Sequence, residues 1–177
     1  MSNRNYVRDL VISGLMLALG IIIPYIFHST GISGAIFLPM HIPVLIGGFL
    51  LAPQYALLLG ILTPLVNSLV TGMPNLFPIS VIMACELGTY GLLASILFFK
   101  FKFPTVIALI LSMLGGRVMA GLAVFILAIF FKIQLEPITY VIGAITTGIP
   151  GIVIQLILIP VIVHFLARFT TIYLDYD

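Results

Sequence analysis

Charge is almost missing from this chain. Lysine and arginine number 7 and aspartate and glutamate 5, so 7% of 177 residues are charged, against roughly 25% in a soluble domain. That scarcity excludes a water-soluble globular protein. It also excludes a nucleic-acid-binding face, because the formal net charge of +2 comes from a few basic residues clustered at helix ends. A single cysteine, Cys85, excludes an intrachain disulfide and a cysteine-based metal cluster. No phosphate-binding loop is present: Gly47-Gly48 lacks the lysine and the strand–loop–helix context. No serine or cysteine nucleophile has a partner base. No internal repeat of the kind that builds inverted-repeat transporters is visible. What is abundant is apolar: 62% of residues are hydrophobic and the mean hydropathy is +1.34. The chain reads as one all-α integral membrane domain over 1–177, with no room for a soluble domain of useful size.

The first apolar run, from about Asp9 to Phe27, follows Arg4 and Arg8 like a signal sequence. It lacks a small-x-small cleavage site and more spans follow it, so it reads as retained. Its length spans a bilayer, and Gly14 and Ala18 form a small-x-x-x-small pair that lets another helix approach closely. Residues 28–37 are glycine-rich and polar and read as a loop. Leu38 to Ala52 is apolar but interrupted by Pro39 and Pro43, a short or kinked second helix after which 52–55 turns tightly. A third helix runs from Ala56 to Val70 through Pro64, and a fourth from Pro78 to Phe99 ends at Lys100 and Lys102. The fifth, Pro104 to Phe131, carries Arg117; the sixth, Ile138 to Ala167, is broken in its first half by Thr146, Thr147, Gly148, Pro150 and Gly151. Basic residues favour the cytoplasmic side. Arg4 and Arg8, Lys100 and Lys102, and Arg168 fall on one side only if four and then two spans separate them. The expectation is six transmembrane helices with both termini cytoplasmic.

Within these spans two residues stand out. Glu86 lies in the run GMPNLFPISVIMACELGTYG from Gly72 to Gly91, with Tyr90 one turn further on. Arg117 lies deep in the fifth span. A charged side chain in a spanning helix costs a few kcal/mol on insertion scales and marks a functional site by default. At about 1.5 Å per residue, Glu86 lies roughly 12 Å and Arg117 roughly 21 Å from the outer ends of their helices. Either they form an ion pair that only neutralises both, or they meet a polar ligand entering from outside; a pair that opens to a ligand satisfies both readings. Asn67, Asn75, Tyr90, Gln155, Thr146 and Thr147 are hydrogen-bonding residues in the outer half or the middle. Singly each suits a helix–helix hydrogen bond; together they suit a small polar pocket closed by loops 28–37 and 71–78. His28 and His41 lie 13 positions apart without a nearby carboxylate in sequence, so no metal site is assigned. An enzyme using Glu86 needs a second catalytic group, and arginine stays protonated and makes a poor base. A channel needs a polar stripe, but Leu92 to Phe99 and Pro104 to Leu111 are almost wholly apolar. No catalytic residue is assigned.

The segment LPMHIPVLIGGFLLAPQYALLLGILTPLVNSLVTGMPNLFP, followed by MACELGTYGLLASIL, resembles the substrate-binding S components of energy-coupling factor (ECF) vitamin transporters. The likeness covers nearly the whole chain: size, six helices, the Pro39-x-His-x-Pro43 segment and the Gly72-Met-Pro turn. An AxxxA-type motif of the family's first helix stands here as Gly14-x-x-x-Ala18, with glycine for the first alanine. The resemblance implies a multi-pass subunit of a prokaryotic plasma membrane that binds a vitamin or precursor from outside. It implies a partner module of one transmembrane coupling protein and two cytoplasmic ATPases, which use ATP; no cofactor is bound by this subunit itself. It implies that the subunit rotates in the membrane to deliver its ligand. It places the ligand at the outer halves of the fourth to sixth helices and the outer loops, and so at Glu86, Tyr90, Arg117, Asn75, Thr146 and Thr147, with Gly14 and Ala18 toward the coupling protein; Asn67, at the polar end of the third helix, joins the expected substrate contacts from its polarity alone. Hydroxymethylpyrimidine or pyridoxine is the first expectation, with Tyr90 or Phe77 stacking on the ring. Pantothenate, whose carboxylate suits Arg117, or another vitamin is the alternative.

Overall fold

The computed structural model describes the backbone of residues 3–169 and the side chains of 6–166. Arg4 and Arg168, which contribute to the orientation argument, lie outside the described side chains. The described residues form helices without strands. Helix α1 is Asn3–Ser29, α2 Gly34–Phe37, α3 His41–Gly48, α4 Pro53–Thr71, α5 Val81–Ser95, α6 Thr105–Phe131 and α7 Pro137–Phe169; single π-type turns at Leu76–Ser80 and Ile96–Lys100 extend α5 at either end. Five of the helical segments are long and apolar enough to cross a membrane.

The remaining apolar segment differs from expectation. Residues 28–37 contain a short helix, α2, and the expected helix 38–52 shrinks to α3, which is about 12 Å long. Pro39 precedes α3, and Pro43 falls in its first turn, where its missing N–H costs nothing. Because this segment is apolar on every side, it belongs in the centre of a bundle rather than at its surface. Val44, Leu45, Phe49 and Leu51 are completely buried there.

Side-chain contacts set the direction of each helix. The Ala52 amide donates to the Asp9 carboxylate at 3.3 Å, and the Asn67 side-chain amide reaches the Gly20 carbonyl at 3.5 Å. Helices α1 and α4 therefore run parallel, and residues 30–52 recross the bundle between them. Helix α5 returns antiparallel to α4: Gly91 faces Ala56 and Gly60 faces Leu87. Ser95 Oγ donates to the Leu51 carbonyl at 2.7 Å at that same end. Helix α6 packs antiparallel to α5, with Ile82 against Ala120 and Val124. Helix α7 turns back along α6. Its first turn is capped by Glu136, whose carboxylate accepts the amides of Ile138 at 3.2 Å and Thr139 at 2.6 Å.

The expected break in the last span is absent. Helix α7 is continuous through Pro150 and Pro160. Its glycines serve close approach instead: a β-carbon at Gly151 would lie 2.7 Å from the Phe37 backbone, and one at Gly148 3.0 Å from Leu38. Gln155 is fully buried and donates to the Leu38 carbonyl at 3.4 Å, which fixes the α2–α3 junction against α7.

The α4–α5 contact depends on glycine most directly, since a β-carbon at Gly60 or Gly91 would overlap the backbone carbonyl of the facing helix. Gly60→Ala and Gly91→Ala should each cost about 1–3 kcal/mol through overpacking. Gly14, where a β-carbon meets open space, should tolerate alanine with a gain of about 0.5–1 kcal/mol. Thermal unfolding of the three variants in detergent measures the difference.

Candidate functional site

At the end of the bundle where α1 and α4 finish and α7 begins, the helices splay around a cavity of about 670 Å³. Its walls come from the end of α1 (Pro24, His28), the α2–α3 segment (Gly34 to His41), the 73–75 turn, α5 and the first turns of α7. Most of the lining is apolar. At depth it ends on Glu86 of α5, Arg117 of α6 and His41 of α3, which converge from three elements.

Glu86 is 1% exposed and Arg117 8%. Arg117 Nη1 lies 2.7 Å from Glu86 Oε1, a charge-assisted contact. The same oxygen accepts the Tyr90 hydroxyl at 2.8 Å, from the i+4 position of the same helix face. Gly116 permits this arrangement: a β-carbon there would overlap the Tyr90 ring. Without that glycine α6 could not bring Arg117 down onto α5. The 2.7 Å contact puts the two side chains at one level, against the depth difference estimated from sequence.

His41 is the third member. Its ring packs on Tyr90 with centroids 5.6 Å apart, and its Nε2 lies 3.8 Å from Glu86 Oε1, too far for a hydrogen bond. Among the described residues neither ring nitrogen of His41, nor Arg117 Nη2, has a hydrogen-bond partner. Sequence spacing had left His41 without a carboxylate; the fold places one beside it. His28, at the cavity rim, lies with its ring against Gly34. Among the described residues no group of three or more histidines, cysteines and carboxylates suits a metal.

The other expected site residues divide. Asn75 and Thr147 line the cavity together with Glu86 and Arg117. Tyr90 does not; it is 1% exposed and lies behind Glu86. Asn67 is buried at the α1–α4 contact, and its carbonyl groups hold the Thr71 hydroxyl. Thr146 turns back on its own helix, donating to the carbonyls of Ile142 at 2.9 Å and Gly143 at 3.1 Å. Phe77, considered as a stacking ring, is 48% exposed and packs edge-on against Phe131. Tyr140 and Thr139 of α7 and the methionines 40, 73 and 83 line the cavity in their place. Tyr140 sits about two turns before a polar pair that sequence reading favours, but nothing in its apolar surroundings marks it. Gly14 and Ala18 are both exposed, and among the described residues a β-carbon at Gly14 would meet nothing within 4 Å.

Removing one partner of a buried ion pair leaves the other uncompensated, at a cost of about 3–5 kcal/mol. Glu86→Ala should lower stability by that amount, and Arg117→Met by a similar one. The double variant should be more stable than the sum of the two predicts, by about 0.5–3 kcal/mol. A double-mutant cycle on thermal or denaturant unfolding measures this coupling.

Against this geometry stands one comparison. The family model described as "ECF transporter, substrate-specific component" matches residues 8–163, a stretch that runs from the first turns of α1 to near the end of α7. Comparison with individual curated proteins and with solved structures gave no match. The matched stretch contains every lining residue of the cavity and all or most of each helix long enough to span a membrane. The chain therefore belongs to the family of ECF transporter substrate-specific components and is a multi-pass membrane transport subunit, not an enzyme.

Proposed function

We propose that this subunit takes up a small water-soluble vitamin or vitamin precursor from outside the cell and delivers it through an ECF module. The observation that carries the reading is the cavity that ends on the buried Glu86–Arg117–His41 group. A pocket of this size with a few convergent polar groups in otherwise apolar walls suits one small polar molecule. Glu86, Arg117, Asn75 and Thr147 are its proposed contacts, with Tyr90 orienting the carboxylate from behind. Hydroxymethylpyrimidine or pyridoxine is the first choice of substrate; pantothenate or another vitamin is the alternative. The subunit binds no cofactor of its own, and ATP is consumed by the two partner ATPases.

The proposed topology is six crossings of a prokaryotic plasma membrane with both termini in the cytoplasm. The parallel course of α1 and α4 supports it, since the chain must return across the bundle between them. The cavity then opens outward. Cysteines introduced at Ser33, Asn75 and Gln134 should react with an impermeant reagent in intact cells, and Lys102→Cys should not. Labelling at 102 under those conditions would overturn the topology.

The proposed contact with the transmembrane coupling protein is the exposed small-residue face of α1 at Gly14 and Ala18. A leucine at either position would hold a partner helix away, while the cavity lies toward the other end of α1. Gly14→Leu and Ala18→Leu should therefore abolish co-purification with the coupling protein and reduce uptake at least tenfold, with vitamin binding to the isolated subunit unchanged. Normal assembly and uptake in both variants would remove this face from the proposal.

A further inference from the structure

Charge bookkeeping in the cavity narrows the ligand, on the proposed reading that this cavity is the substrate site. The lining contains one carboxylate, Glu86, and one guanidinium, Arg117, and they already neutralise each other at 2.7 Å. The other titratable side chains facing the cavity are His28, His41 and Tyr140. An anionic ligand would bring a second negative charge into a site whose one guanidinium, among the described residues, is already paired. A cationic ligand would have to displace Arg117 from Glu86. Either step leaves a charge poorly compensated away from water.

The unpartnered atoms point the same way. Arg117 Nη2 is buried and can only donate. His41 is 3% exposed and both of its ring nitrogens are unpartnered; an imidazole always carries at least one N–H donor, and uncharged it carries one acceptor as well. Arg117 Nη1 and His41 Nε2 lie 2.7 and 3.8 Å from the same oxygen of Glu86, which sets the two side chains beside each other at the cavity floor. Buried polar groups are normally satisfied, and both residues belong to the cavity lining. We infer that the ligand enters uncharged and presents a hydrogen-bond acceptor to Arg117 Nη2 and a complementary donor or acceptor to His41. His41 is thereby a specificity-determining residue, and the Glu86–Arg117 pair stays closed when the ligand is bound.

Three scaffolds, each as a matched alcohol and carboxylate, test this by calorimetric titration of the purified full-length subunit at neutral pH. They are 4-amino-5-hydroxymethyl-2-methylpyrimidine and its 5-carboxylate, pyridoxine and 4-pyridoxate, and panthenol and pantothenate. For whichever scaffold binds, the alcohol should bind at least tenfold more tightly than the carboxylate. His41→Leu should weaken that binding tenfold or more, and His41→Gln, which keeps a donor and an acceptor, should recover part of the loss. A carboxylate that binds as tightly as its alcohol, or better, overturns the inference and leaves the substrate-binding reading intact. Equal affinity of parent, Leu and Gln variants overturns the role of His41. Failure of all six compounds to bind removes these substrate choices, and mass spectrometry of the ligand that copurifies with the subunit then decides: a ligand charged at neutral pH overturns the inference, and the absence of any copurifying vitamin overturns the substrate-binding reading.

Discussion

A carboxylate and a guanidinium inside an apolar bundle are stable only while each keeps the other. Desolvation makes either one expensive alone, and the 2.7 Å contact between Glu86 and Arg117 compensates both. That requirement constrains everything around it. Helix α5 must present Glu86 inward, α6 must bring Arg117 to the same level, and Gly116 must leave room for the Tyr90 ring between them. The cavity floor is thus rigid and polar at a level where the rest of the bundle is apolar.

The walls obey a different constraint. In lipid the backbone must satisfy its own hydrogen bonds, so the spanning segments are helical through prolines that would mark breaks in a soluble protein. Pro64, Pro150 and Pro160 all lie inside continuous helices. Between helices, small residues replace the hydrophobic effect as the means of association. The α4–α5 seam closes on Gly60 and Gly91. The α2–α7 seam closes on Gly148 and Gly151. These contacts seat the short α2–α3 segment, which forms one wall of the cavity.

The outer face of α1 is organised differently from these seams. Gly14 and Ala18 have the spacing of a packing motif but are both exposed, and among the described residues a β-carbon at Gly14 would meet open space. The same chemistry therefore serves closed contacts within the bundle and, on α1, an open face. This open face is the one proposed above to meet the coupling protein of an ECF module.

Composition by itself determined that the chain is an all-helical membrane protein, because 7% charge cannot dress a soluble surface. Hydropathy placed the long helices to within a few residues, and the rarity of charge in lipid singled out Glu86 and Arg117. The tertiary structure alone decided which polar residues share the cavity. Spacing along one helix fixes the face a side chain occupies, as with Tyr90 beneath Glu86, but not the neighbour that face will meet. His41 looked isolated because its carboxylate is 45 positions away in sequence and comes from another helix. Asn67 and Thr146 looked like ligand contacts because sequence shows polarity and not direction; one bonds across to α1 and the other to its own backbone. The α2–α3 segment and the unbroken α7 escaped for a related reason. Glycine and proline signal breaks where water can take up freed backbone groups, and inside a bilayer the same residues permit helices to close on one another.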